Sequence, residues 1–298
     1  MSTGGVLYLR DPAMYPGNDP LSYAARLGCR GVALQPRIAR HRALIAPAVT
    51  RFGAGGVELF DLPSEYTPRN WRATFNRAAG LASDHGVGVL VDLETASQWA
   101  RAHSELVALG AAMRDLAELG VRVGVTSVPM HPSWQELADI ADGGAAIVGP
   151  QTGREPAVWG SVQLYGRGFP RDRYGAQIET WRTAFPGGVR PSIALGSPGW
   201  PGLSVSEYAA YLADVRDAME FAGLDSRDVL MWHGQVPPED GAYHQLARAH
   251  LTGGHVTVPD GGPPVVEETP SGRGMRVAGC ALLVLATIGG AIALAVGR

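Results

Sequence analysis

Lysine is missing from this chain: its 25 basic Lys and Arg side chains are all arginine. Without a Lys amine, a Schiff-base nucleophile and the phosphate-gripping lysine of a P-loop are both excluded. Cysteine is scarce as well. Cys29 falls in the main body of the chain and Cys280 in an apolar tail, so a disulfide between them is not expected. No Cys-x-x-Cys or His-Cys cluster is present, and the eight histidines are scattered with no His-x-His strand end, so no metal site is expected. A Gly-x-Ser-x-Gly elbow and a dinucleotide-type glycine fingerprint are also lacking, and no cofactor is expected. A net charge of −3 offers none of the clustered positive charge that nucleic acid requires.

What is present suffices for a large core. Apolar residues make up 46% of 298 positions and charged residues 18%, a balance that excludes bulk disorder and suits one domain of about 250 residues with an appendage. The N-terminus passes from Met1-Ser-Thr-Gly-Gly into Val6-Leu-Tyr-Leu9 with neither the basic region nor the long apolar run of a secretory signal. Residues 277–296, VAGCALLVLATIGGAIALAV, carry no charge and lie between Arg276 and Arg298. At about 1.5 Å per residue such a helix matches a hydrocarbon core of about 30 Å, with the arginines snorkelling to its surfaces. A single C-terminal membrane anchor is therefore expected across 276–298. Arg273 and Arg276 favour a cytoplasmic barrel by the positive-inside rule, unless the protein is virion-associated or exported by a non-standard route. Gly289 and Ala293 supply a small-xxx-small pair for oligomerisation through the anchor. Residues 253–275, with Gly261-Gly-Pro-Pro264 and Glu267-Glu-Thr-Pro270, read as a Pro/Gly-rich linker.

Residues 1–252 alternate short β-branched runs with helical stretches, the pattern of parallel strands joined by crossover helices. Nine candidate strands (6–9, 31–35, 56–60, 87–93, 121–128, 145–148, 161–165, 191–195 and 229–232) compete for the eight places of a (β/α)8 TIM-like barrel, and the surplus one is sought around Ala145 and Ser161. Thr67-Pro68 is expected to open a helix bearing Trp71, Phe75, Ala78 and Ala82 on one face. Ser206 is expected to open another, with Tyr208, Leu212, Val215 and Met219 on one face and Gly223 at its end.

The fourth strand is the most informative. Val87, Val89, Val91 and Leu93 share one face, and Gly88, Leu90, Asp92 and Glu94 the other. In a barrel the second set faces inward, so Asp92 and Glu94 finish this strand at the C-terminal end, where barrel enzymes place their chemistry. Two positions apart on a strand, their Cα atoms lie about 6.5–7 Å apart. Repulsion between such neighbours keeps one protonated beside one ionised, which glycosidic cleavage needs. The competing role is structural, with Asp92 bonding loop backbone and Glu94 capping the next helix. Gln35, Asp61, Gln163, Tyr165, Trp232 and His233 stand at the other strand ends, a mixture of amides, acids and aromatic rings suited to sugar hydroxyls and sugar faces. Singly, each such aromatic is more often rim packing.

Three segments carry a resemblance: Val89-Leu-Val-Asp-Leu-Glu94, Val162-Gln-Leu-Tyr165 and Asp228-Val-Leu-Met-Trp-His233. They resemble the Asp-x-Glu fourth strand, the Gln-x-Tyr strand and the Trp-bearing last strand of glycoside hydrolase barrels, family-25 lysozymes and family-18-like enzymes in particular. The resemblance implies that Glu94 donates a proton to the leaving sugar oxygen and that Asp92 assists, orienting an N-acetyl group or stabilising positive charge. It also implies that Gln163 and Tyr165 hold the sugar and that Trp232 floors the pocket. Family-25 lysozymes end their first strand in Asp, where this chain has Arg10 before Asp11. The expected function is cleavage of an amino-sugar polymer such as peptidoglycan. The alternative is an inactive barrel, serving as a carbohydrate-binding or structural module of an envelope or virion assembly. Either way the expected partners are a carbohydrate polymer and, through 277–296, a membrane.

Overall fold

The β-branched runs become the staves of a barrel in the computed structural model, which describes residues 4–62, 64–93, 101–127, 158–165, 171–185, 188–196, 202–257 and 265–267. All of these belong to one unit, Met1–Glu267. Its strands are β1 (Gly4–Tyr8), β2 (Cys29–Leu34), β3 (Val57–Phe60), β4 (Gly88–Asp92), β5 (Val123–Ser127), β6 (Val158–Val162), β7 (Ser192–Ala194) and β8 (Leu230–Trp232). They form one parallel sheet in the order β6-β5-β4-β3-β2-β1-β8-β7. Parallel bridges Gly160↔Val189 and Gln163↔Ser192 join β6 to the β7 side and close the ring. The chain is therefore an α/β TIM-like barrel of eight parallel strands. Closure removes the sheet edges that would otherwise invite aggregation. Of the two closely spaced candidates around Ala145 and Ser161, the second is β6, and 145–148 lies outside the described residues.

Helices α1 (Pro20–Leu27), α2 (Ala39–Arg42), α3 (Ile45–Phe52), α4 (Trp71–His85), α5 (His103–Glu118), α6 (Tyr174–Ala184), α7 (Val205–Phe221) and α8 (Ala242–Thr252) occur between and after the strands. Helix α7 begins at the Ser204 cap rather than at Ser206. Ser204 and Glu207 form a reciprocal capping box, and Tyr208, Leu212, Val215 and Met219 are buried as their spacing requires. Thr67-Pro68 does not start α4. The Thr67 hydroxyl donates to Asn70 Oδ1 at 2.6 Å, closing a turn one step ahead of the helix, and Asn70 takes the cap position.

Two apolar clusters follow from strand alternation. Val87, Val89, Val91 and Leu93 pack with Trp71, Phe75 and Ala78 in the cluster between sheet and helices. Val6, Tyr8, Ala33, Phe60, Leu90, Trp159 and Leu230 fill the barrel interior. At the N-terminal end of that interior lies an ion cluster absent from the sequence expectations. The Glu58 carboxylate, fully buried, is 3.0 Å from Arg122 Nη2 and 3.7 Å from Arg190 Nη1. Glycine at position 88 makes room for it, since a Cβ there would lie 1.8 Å from Glu58 Oε2. Arg190 also stacks over Trp159 at 4.7 Å and pairs with Asp228 at 2.7 Å.

Part of the segment expected as a linker is paired. His255–Thr257 (β9) and Val265–Glu267 (β10) form an antiparallel pair within the barrel unit, so this unit runs to Glu267. Among the described residues no helix is long and apolar enough to cross a membrane. Residues 277–296 lie outside them.

Candidate functional site at the C-terminal mouth

Register, more than sequence proximity, assembles the polar end of the interior. Asp92 on β4 pairs with Thr126 on β5, and Thr126 with Ser161 on β6. All three are inward positions, so a carboxylate and two hydroxyls stand side by side across three strands. The belt continues where Ser161 Oγ donates to Ser192 Oγ at 3.1 Å and where Gln163 bridges Ser192. Every member of the belt is buried.

Tyr8 reaches this belt from the opposite wall. Burial raises the phenol pKa far above its usual value and the Asp92 carboxylate adds to that rise, while Ser192 and Thr126 hydroxyls offset part of it. The group is therefore a neutral hydroxyl at any physiological pH, placed among Asp92, Ser192 and Thr126. Its ring packs edge-on against Phe60 at 4.6 Å and Trp232 at 5.2 Å, geometry favoured by the ring quadrupoles. Trp232 is half-buried and closes the aromatic side of the mouth.

The structure separates the sequence-derived candidates. Asp92, Gln35 and Gln163 are buried on the inward side of their strands, with Trp232 beside them. Gln35 Oε1 has no hydrogen-bond partner among the described residues, and its backbone N–H is fixed by His41 Nδ1 at 2.9 Å. Asp61 points the other way. Phe60 before it and Leu62 after it pack on the interior cluster, whereas the Asp61 carboxylate lies 3.8 Å from Arg37 Nε. Burial raises its pKa to about 6, against the lowering pull of Arg77 and Arg37. His233 also turns outward, to bond Tyr15. Tyr165 is half-buried against the outer cluster. Asp11 is exposed and caps a short 3-10 turn through Ala13 N–H. Glu94 lies outside the described residues.

Sequence reading missed Tyr8, Thr126, Ser161 and Ser192. Alternation alone marks Tyr8 as inward beside Val6, but nothing local says that a tyrosine on the first strand meets an aspartate on the fourth. Among the described residues no group of three or more His, Cys, Asp or Glu is placed to hold a metal.

No protein-family model matches the chain, and no curated protein sequence does. It is a TIM-barrel protein by its own topology. Solved structures similar to it include a xylose isomerase-like TIM barrel/4-hydroxyphenylpyruvate dioxygenase fusion protein, at 14% identity and TM-score 0.46 over 84% of this chain and 42% of that one. A D-psicose 3-epimerase is similar at 12% identity and TM-score 0.44, over 83% and 96%. The HMG-CoA lyase from Brucella melitensis is similar at 12% and 0.44, over 78% and 81%. This chain spans less than half of the fusion protein. The likeness to glycoside hydrolases rests on the three short motifs alone.

Proposed function

We propose that the barrel is a carbohydrate-cleaving enzyme of glycoside hydrolase type, acting on an amino-sugar polymer at its C-terminal mouth. One observation carries the reading: the Asp92 carboxylate is buried at the end of β4 beside the Tyr8 phenol, in register with the Thr126 and Ser161 hydroxyls. A wall of hydroxyl and amide groups facing Tyr8, Phe60 and Trp232 offers hydrogen bonds to a sugar rim and edges or faces of rings to its apolar surface. In this reading Glu94, two positions on, is the general acid, and Asp92 with Tyr8 orients the substrate's acetamido group or steadies the positive charge that develops on the sugar.

The test uses the full-length protein in detergent with peptidoglycan and with chitin oligomers, assayed for new reducing ends. Wild type is expected to release them, Glu94→Gln to lose nearly all activity and keep binding, and Asp92→Asn to lose about 100-fold or more. Equal release by wild type and Glu94→Gln would sink the acid assignment.

A second reading is a non-catalytic barrel that binds carbohydrate as a structural module. Binding of oligomers by wild type with no turnover would select that reading.

A further inference from the structure

A cavity of about 550 Å3 lies away from the barrel mouth, between α7 and α8 in the outer helical layer. Its size falls within the range of small-molecule sites. Leu212, Ala213 and Ala209 recur at helical spacing on α7 and face Leu246 of α8, so one end of the cleft is apolar. The other end is polar, and its polar groups sort by depth. His250, one turn beyond Leu246, is 2% exposed, and neither ring nitrogen has a hydrogen-bond partner among the described residues. The Ser226 carbonyl lies near the ring without reaching hydrogen-bond geometry. A buried imidazole with both nitrogens unmatched is costly unless something polar occupies the space before it.

Arg216 stands beside that ring. It lowers the His250 pKa, second to burial, and its only hydrogen bond among the described residues is Nη2 to the Gly254 carbonyl at 3.3 Å. Among the described residues no carboxylate forms an ion pair with it. The second lining arginine, Arg227, is already matched by a two-pronged pair with Asp225 at 2.8 and 2.6 Å. The lining acids Asp217 and Glu220 are exposed, where their charge is screened, and Glu220 Oε1 accepts from Ser226 Oγ at 3.5 Å. The inner polar end therefore presents an uncompensated guanidinium and an unmatched imidazole, next to an aliphatic wall.

We propose that this cleft is a binding site for a small aliphatic carboxylate, its carboxyl group held between Arg216 and His250 and its chain laid over Leu212, Ala213 and Leu246. Guanidinium and carboxylate match in geometry and charge. A carboxylate also supplies the imidazole with the partner that the protein withholds. The site shares no residue with the mouth, and its occupancy is independent of what the mouth does.

The experiment is a titration of the full-length protein in detergent with hexanoate, hexylammonium and hexanol in parallel, followed by His250 ring resonances and by calorimetry. Saturable binding of hexanoate below about 10 mM, with movement of the His250 ring signals, is the expected result. Arg216→Gln, a half-buried position on the helix surface, should weaken it about tenfold or more, and Asp217→Asn should leave it intact. Leu212→Gln should weaken it independently of charge. Preference for hexylammonium, equal binding of hexanol, or hexanoate binding unchanged in Arg216→Gln would each overturn the proposal, as would absence of saturable binding.

Discussion

The Tyr15 hydroxyl lies 2.8 Å from Nε2 of His233 while accepting the backbone N–H of Arg10 at 3.0 Å. His41 holds the same residue from the other side. Its Nδ1 accepts the Gln35 N–H at 2.9 Å, which leaves Nε2–H to donate to the Arg10 carbonyl at 3.0 Å. The ends of β1, β2 and β8 are thus tied behind the mouth by two neutral imidazoles. Outward-facing His233 serves the wall of the site rather than its contents.

Buried neutral imidazoles, His233 of this clamp and His250 of the cleft, make stability depend on acid. Burial, reinforced by Arg10, pushes the His233 pKa down to about 3, and burial with Arg216 takes His250 to about 4. Below the unfolded value of about 6.5 the unfolded chain binds more protons than the folded one, so stability rises with pH in this window. The contribution is complete above about pH 6.5 and is lost as pH falls toward the folded values. Urea midpoints measured between about pH 7 and pH 4 should fall steeply in wild type and less steeply in His233→Gln. Parallel curves for the two proteins would refute the assignment.

Glu58 anchors the opposite end of the barrel. Its carboxylate is fully buried between Arg122 and Arg190, so Glu58→Gln leaves two guanidiniums facing each other in a confined space. A loss of about 3 kcal/mol is expected, toward the low end for a broken buried pair because Arg122 is one-third exposed. Chemical denaturation checks it. A change below about 1 kcal/mol would place this pair with ordinary surface bridges.

Close strand approach explains Gly31. A Cβ there would lie 2.0 Å from the Gly56 carbonyl oxygen, a backbone atom that cannot swing aside. Gly31→Ala should cost about 2–3 kcal/mol by overpacking, and Gly55→Ala, where a Cβ meets nothing within 4 Å, should stay within about 1 kcal/mol of wild type. Thermal melts of the two variants side by side give the comparison.

Tyr8→Phe separates packing from chemistry at the mouth. The ring contacts with Phe60 and Trp232 remain, while Ser192 and Thr126 lose the phenol hydroxyl. The fold should lose about 1 kcal/mol. Oligosaccharide affinity should fall about tenfold, the equivalent of one hydrogen bond of about 1.4 kcal/mol. Unchanged affinity would remove Tyr8 from the proposed site.

Residues 277–296 are proposed to anchor the chain in a bilayer. Full-length protein should stay with membranes through alkaline carbonate washing, and a chain ending at Glu267, the boundary of the barrel unit, should be released. Release of both would exclude a spanning tail.

Local pattern made much of the barrel legible. The run Val6–Leu9 anticipates β1 at Gly4–Tyr8, and alternation along 87–93 separates outward Val89 and Val91 from inward Leu90 and Asp92. Asp61 follows a strand whose last inward residue is Phe60, and one step further along a period of two reverses the direction of a side chain, which no single strand end announces. Glu58 went unremarked because a charged residue inside a short apolar run has no local sign of the Arg122 and Arg190 that neutralise it.

By itself the sequence determined the alternation of strands and helices, hence the parallel barrel, since hydrophobic period and capping residues act over a few positions. It also determined that Asp92 would stand at the inner end of β4. Only the tertiary structure decided the company Asp92 keeps. Thr126, Ser161 and Ser192 reach it through inter-strand register, and Tyr8 from the far wall. The tertiary structure also decided that Arg216 would meet His250 across a cleft between two helices. These relationships depend on ring closure and on burial. Both are set by residues tens to hundreds of positions apart and leave no trace in any short stretch of chain.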